Sequence, residues 1–146
     1  MKIKDVSRIK GREIITIGPN NTLSEAIEKM VNHKIGALLV CEDNGKLLGL
    51  ISERDILRDL YQHNYDIATD KVKDVMTRDV IIGVPDDDLE AISKIMSENG
   101  VRHLPVMTGD KVVGMLSIKD VIEEKLTECS TRVRYLHDYI SGGSSQ

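Results

Sequence analysis

The chain has 146 residues, 40% of them hydrophobic, with no Trp or Phe and a formal net charge of −4. That length fits one compact domain or two small, interdependent halves, and a pocket for a planar base must be walled mainly by aliphatic side chains and backbone. No Lys/Arg run provides the basic face of a nucleic-acid binder, and no apolar run approaches a membrane span. The start Lys2-Ile3-Lys4-Asp5 lacks the apolar core of a signal peptide, so a cytoplasmic location is expected.

In chain order, Ile14-Ile15-Thr16-Ile17-Gly18-Pro19 reads as a short β-rich stretch. Leu23, Ala26, Ile27, Met30 and Val31 then recur at helical spacing, with Thr22 able to cap the helix start. Residues 35–40 read as a strand, Asn44-Gly45 as a hairpin turn, and 47–51 as a second strand. Another helix starts near Ser52, with Ile56, Leu57 and Leu60 on one face. The stretch from Gln62 to Lys71 carries no periodic pattern and reads as a linker.

The pattern then repeats. Pro85 matches Pro19, Leu89, Ile92 and Met96 match Leu23, Ala26 and Met30, and Val101–Val106 match Ile35–Val40 at constant separation. One residue is lost between Asp43-Asn44-Gly45 and Thr108-Gly109-Asp110, both turn sequences where length changes are tolerated. Gly114-Met115-Leu116-Ser117-Ile118-Lys119-Asp120 then matches Gly49-Leu50-Ile51-Ser52-Glu53-Arg54-Asp55. Asp86-Asp87-Asp88 reads as an acidic helix start that suits the helix dipole, not as a chelating cluster. The expected division is a first repeat at 1–64, a linker at 65–71, a second repeat at 72–126, and a helical extension with a flexible tail at 127–146. Neither copy alone buries enough surface to be stable, so the expected fold is α+β with internal pseudo-two-fold symmetry and a C-terminal helix. Cys41 and Cys129 are far apart, which argues against a disulfide framework and fits a reducing compartment.

The repeated strand-turn-strand ending in Gly-x-x-Ser-x-x-Asp, the run Arg102-His103-Leu104-Pro105-Val106, and Val72-Lys73-Asp74-Val75-Met76-Thr77 resemble CBS domains. Two in tandem form a Bateman module, and the chain is similar to stand-alone CBS-pair proteins over roughly residues 3 to 126. The resemblance implies a β-α-β-β-α unit, pairing of the units through their sheets, and two clefts for adenosine-containing ligands such as AMP, ATP, S-adenosylmethionine or NAD.

Ser52 with Asp55, and Ser117 with Asp120, stand at strand-to-helix joins. Such a pair serves as a capping box. It also suits ribose capture, since a carboxylate accepts hydrogen bonds from two vicinal hydroxyls and a helix N-terminus favours an anion. The adenine is expected near Ile15, Thr16 and Ile17 with the backbone of Ile35, Gly36 and Ala37, and in the second copy near Ile81, Ile82, Val101 and Arg102. Lys34, Arg54, Arg102 and His103 are expected around phosphates, with Lys119 preceding the second ribose acid. The copies differ in charge here, so unequal affinities are expected.

No catalytic residue is assigned. The four histidines stand apart with no metal-ligand spacing to a Cys or carboxylate, and no Gly-x-Ser-x-Gly or Walker-type loop is present. No metal, nucleic acid or membrane partner is expected. The function expected is a regulatory sensor of AMP, ATP or NAD that signals to a partner protein; the alternative is a dimeric interaction scaffold that binds no ligand. Ile122, Leu126, Cys129, Val133, Leu136 and Ile140 form a heptad stripe on a helix from about Ile118 to Ile140, so a homodimer is expected.

Overall fold

The computed structural model describes residues 1–6, 9, 11–63 and 69–140, with side chains through residue 129. The first repeat runs β1 (Thr16–Ile17), α1 (Leu23–His33), β2 (Ala37–Cys41), β3 (Leu47–Ser52) and α2 (Glu53–Gln62). The Thr22 hydroxyl accepts from the Glu25 amide while Glu25 reaches back to the Thr22 amide, closing a capping box on α1. β1 pairs parallel to β2, and β2 pairs antiparallel to β3.

The second repeat runs α3 (Val72–Val75), α4 (Leu89–Asn99), β4 (His103–Thr108), β5 (Lys111–Ser117) and α5 (Ile118–Ile140). Asp88 caps α4, in keeping with the acidic helix start read at Asp86–Asp88. Here the first strand is reduced to a single parallel bridge, Gly83 to Val106, at the position of Ile17 and Val40 in the first copy. A Cβ at Gly83 would lie 2.8 Å from Leu104 Cδ2 and 3.0 Å from Ile3 Cδ1, so any larger residue here must push these side chains aside.

Each repeat builds its own core, and the segment preceding each repeat docks on the other one. Ile3 and Val6 are fully buried among Leu89, Ile92, Met96 and Leu104 of the second repeat. The Ile3 amide donates to the Asp87 carbonyl and the Lys4 amide to Pro85. Conversely, Val72 and Met76 bury among Leu23, Met30, Leu38 and Ile51 of the first, with the Val72 amide donating to Asn21 and the Lys73 amide to Pro19. A third cluster sets Ala37, Leu39 and Leu50 against Val80, Val112 and Met115, so apolar faces from the two repeats meet. This exchange makes the halves interdependent: neither retains its full core alone.

Two apolar stripes read from the sequence are corrected. Val31 on α1 and Leu57 on α2 are exposed, while Ile56 is buried; the faces turned to the core are narrower than the runs of apolar residues. On α5, Val121 is buried and Ile118 packs beside it, leaving Ile122 and Leu126 exposed.

Candidate functional site

Two clefts lie between the repeats, and each draws its acid from one copy and part of its apolar wall from the other. The first, about 390 Å³, contains Ser52, Arg54 and Asp55 with Ile81, Val101 and Arg102. The second, about 730 Å³, contains Ser117, Lys119 and Asp120 with Ile15, Ile35 and Ala37. Both volumes fall in the usual range for small-molecule sites, roughly 300–1,000 Å³. Gly36, Glu53, Arg102 and His103 border both clefts.

In the first cleft Ser52 and Asp55 form a reciprocal cap on α2. The Asp55 amide donates to Ser52 Oγ at 3.2 Å, and the Ser52 amide and hydroxyl donate to Asp55 Oδ2 at 2.9 and 3.1 Å. Asp55 is buried, yet the cap is held through Oδ2. Its Oδ1 meets the Thr77 hydroxyl at 3.3 Å and lies 3.9 Å from Arg58. Thr77 is held there by paired backbone bonds with Leu50, 2.8 and 2.9 Å long. The cap is thus carried by Oδ2, while Thr77 approaches Oδ1 more closely, at 3.3 Å, than Oδ2, at 3.5 Å.

The second cleft is built on the same plan but is latched. The Ser117 amide donates to Asp120 Oδ2 at 2.9 Å and the Asp120 amide donates to Ser117 Oγ at 3.1 Å. Arg12 adds a fork: Nη1 donates to Oδ2 at 3.0 Å and Nη2 to Oδ1 at 2.9 Å. Burial pushes the Asp120 carboxyl up, but the Arg12 guanidinium and the Ser117 donors outweigh it and hold the pKa below its ordinary value. The bond to Asp120 in turn raises the pKa of Arg12. At the shared border, burial lowers the His103 pKa against the opposing pull of Glu53 and Asp120, with Arg102 lowering it further, so the site favours the neutral imidazole.

The family model for the CBS domain matches residues 3–62 and 72–126. The chain belongs to the CBS domain family. It is 31% identical over 149 residues to the CBS domain-containing protein CBSX3, mitochondrial, of Arabidopsis thaliana, covering 97% of this chain and 72% of that protein. Its fold is similar to the CBS domain pair of protein MJ0100 in complex with 5-methylthioadenosine and S-adenosyl-L-methionine (TM-score 0.77, 26% identity, 88% of this chain and 98% of that one). It is also similar to CBSX2 in complex with AMP (TM-score 0.71, 25% identity, 86% and 96%). The α+β architecture of tandem CBS repeats is thus established for this chain.

Within the CBS pair, three residues named from sequence stand apart from the clefts. Thr16 and Ile17 form β1, paired to Leu39 and Val40, with Ile17 in the first core; Ile82 is exposed and lines neither cleft. Lys34 lines the second cleft, and Arg54 the first. The sequence reasoning missed Arg12, Thr77 and Glu53. Extending the repeat match two residues before Ile14 and Val80 aligns Arg12 with Arg78, a signal that was available. Thr77 and Arg12 matter through contacts more than twenty residues away in sequence, which no local spacing encodes.

Outside the clefts, Asp59, His63 and Asp70 come together with one ligand-type atom from each within 4.8 Å of the others. Asp59 and His63 stand one helical turn apart at the end of α2, and Asp70 reaches the pair from just before α3. No helix among the described residues is long and apolar enough to cross a membrane.

Proposed function

We propose that this CBS pair is a non-catalytic sensor of adenosine-containing nucleotides, with the first cleft as the primary site. The observation that carries this is Asp55: a buried carboxylate on the floor of an apolar cleft, its Oδ1 turned away from the cap toward Thr77. An acid so placed accepts from both ribose hydroxyls, Ile81 and Val101 offer aliphatic faces to the base, and Arg54 and Arg102 offer charge to phosphate. The complexes of MJ0100 with S-adenosyl-L-methionine and of CBSX2 with AMP support this ligand class. AMP, ATP and NAD share the adenosine moiety that such a site reads. The chain acts in this reading as a homodimer that passes the bound state to a regulated protein.

Differential scanning fluorimetry with AMP, ATP, NAD and S-adenosylmethionine tests this. A ligand bound only by the folded state raises Tm, and Asp55→Ala removes that shift at ligand concentrations saturating the parent. Equal shifts in parent and variant exclude Asp55 as the ribose acid. No shift with any of the four leaves the scaffold reading in its place.

A further inference from the structure

We propose that Asp59, His63 and Asp70 form a site for a divalent transition cation, with Zn²⁺ as the probe ion, at the C-terminal end of α2. Asp59 is 6% exposed, and its Oδ2 has no hydrogen-bond partner among the described residues. A buried carboxylate oxygen without a partner is costly. Its position makes it costlier still: it stands in the last turn of α2, where the helix dipole disfavours negative charge, and that turn has no basic residue.

The groups around it have the geometry of donors. His63 Nδ1 lies 2.6 Å from Asp59 Oδ1 and 3.8 Å from Asp70 Oδ2. A tetrahedral ion with bonds of about 2.1 Å holds its donors about 3.4 Å apart, and the two distances bracket that value, so small rotations bring the three into a coordination set. One imidazole and two carboxylates suit a borderline cation such as Zn²⁺ better than an all-oxygen Mg²⁺ or Ca²⁺ cage. His63 is exposed on its outer side, which leaves a route for the ion and a fourth position for water.

The site joins the end of the first repeat to the segment that follows it. Asp59 and His63 belong to the end of α2, whereas Asp70 precedes α3, and its carbonyl accepts from the Leu23 amide. An ion here staples the exit of the first repeat to the entry of the segment that docks Val72 into the first core. The rival explanation is a His63 imidazolium paired with the carboxylates and no metal at all.

Metal-free protein titrated with Zn²⁺ against a chromophoric chelator at pH 7.5 separates the two. The expected result is one equivalent bound by the parent, weakened more than about tenfold in both His63→Ala and Asp59→Asn, and unchanged in His33→Ala. Zn²⁺ also raises the parent Tm, and does so less at pH 5.5, because ligand imidazole must be neutral. Asp59→Asn preserves shape, so a loss there is not a folding failure. Binding that is equal in parent and both ligand variants, or absent from the parent, overturns the site.

Discussion

Arg12 and Asp120, 108 residues apart, meet in a two-pronged ion pair at 3.0 and 2.9 Å. The equivalent acid of the first repeat, Asp55, has only a hydroxyl and a distant guanidinium at its outer oxygen. A ribose entering the second cleft must displace Arg12, whereas one entering the first displaces a single weak bond. The pseudo-symmetric repeats are therefore inequivalent at their paired carboxylates, Asp55 and Asp120.

Removing Arg12 exposes this difference. Arg12→Ala should lower stability by about 1 kcal/mol, at the low end for a charge-assisted bond because the guanidinium is half exposed and water replaces it. The same change should tighten the second cleft for nucleotide, read as a second binding event by calorimetry. The stability difference is also pH dependent. Asp120 has a folded pKa below its unfolded value, so its contribution is present above the unfolded value near ~3.9 and is lost as pH falls through the folded one. The Tm gap between parent and Arg12→Ala should be full at pH 6 and shrink below about pH 4. A gap that is flat from pH 7 to 3 would remove the ion pair as its source.

His103 supplies a second pH handle. Burial, with help from Arg102, keeps its folded pKa below the ordinary value. A phosphate beside it favours the imidazolium, so nucleotide binding should take up a proton. AMP affinity should rise as pH falls from 7.5 to 6, adenosine affinity should stay level, and His103→Gln should flatten the AMP profile. Calorimetry in buffers of different ionisation enthalpy reads the proton directly. If adenosine and AMP share one pH slope, His103 does not face phosphate.

The Ser/Asp joins were legible because a capping pair at a strand end is a local pattern, and its recurrence fixes two copies at corresponding positions. The helix from Ile118 to Ile140 was legible from its length and apolar period. What local pattern could not give is the exchange between halves. Ile3 and Val6 sit in sequence beside the first repeat but bury in the second, and each cleft adds apolar residues of the other copy to its acid. Leu57 looked like core because it is apolar on a helix, yet it lines the first cleft. Helical spacing gives a stripe; only the packed sheet decides where the stripe stops.

Equivalent glycines should respond differently to the same change. A Cβ at Gly49 would lie 2.5 Å from the Thr77 carbonyl oxygen, whereas one at Gly114 first meets Val106 Cβ at 3.9 Å. The clash at 49 is with backbone that pairs with Leu50, so it is relieved only by shifting the segment that carries Thr77, whose hydroxyl meets Asp55. Gly49→Ala should cost about 1–3 kcal/mol and weaken nucleotide in the first cleft. Gly114→Ala should be neutral within about 0.5 kcal/mol. Urea denaturation of both variants gives the comparison, and similar midpoints would mean that β3 tolerates the displacement.

The exposed side of α5 points to self-association. Val121 and the half-buried Ile118 pack in the second core and Lys125 reaches Ser93 and Glu90 of α4, whereas Ile122 at 51% exposure and Leu126 at 60% belong to no core cluster among the described residues. Cys129, exposed, continues the stripe at the next heptad step. Val133, Leu136 and Ile140 extend it in sequence, but their side chains lie outside the described residues. An apolar seam of this period on a 23-residue helix is a liability for a monomer, and a second copy of the same helix buries it by heptad packing. Ile122→Asp with Leu126→Asp should convert a dimer to a folded monomer, since neither side chain belongs to a core and circular dichroism should be unchanged. Light scattering at micromolar concentration reads the mass of both proteins. A parent that runs as a monomer, or a double variant that stays dimeric, places the contact elsewhere or removes it.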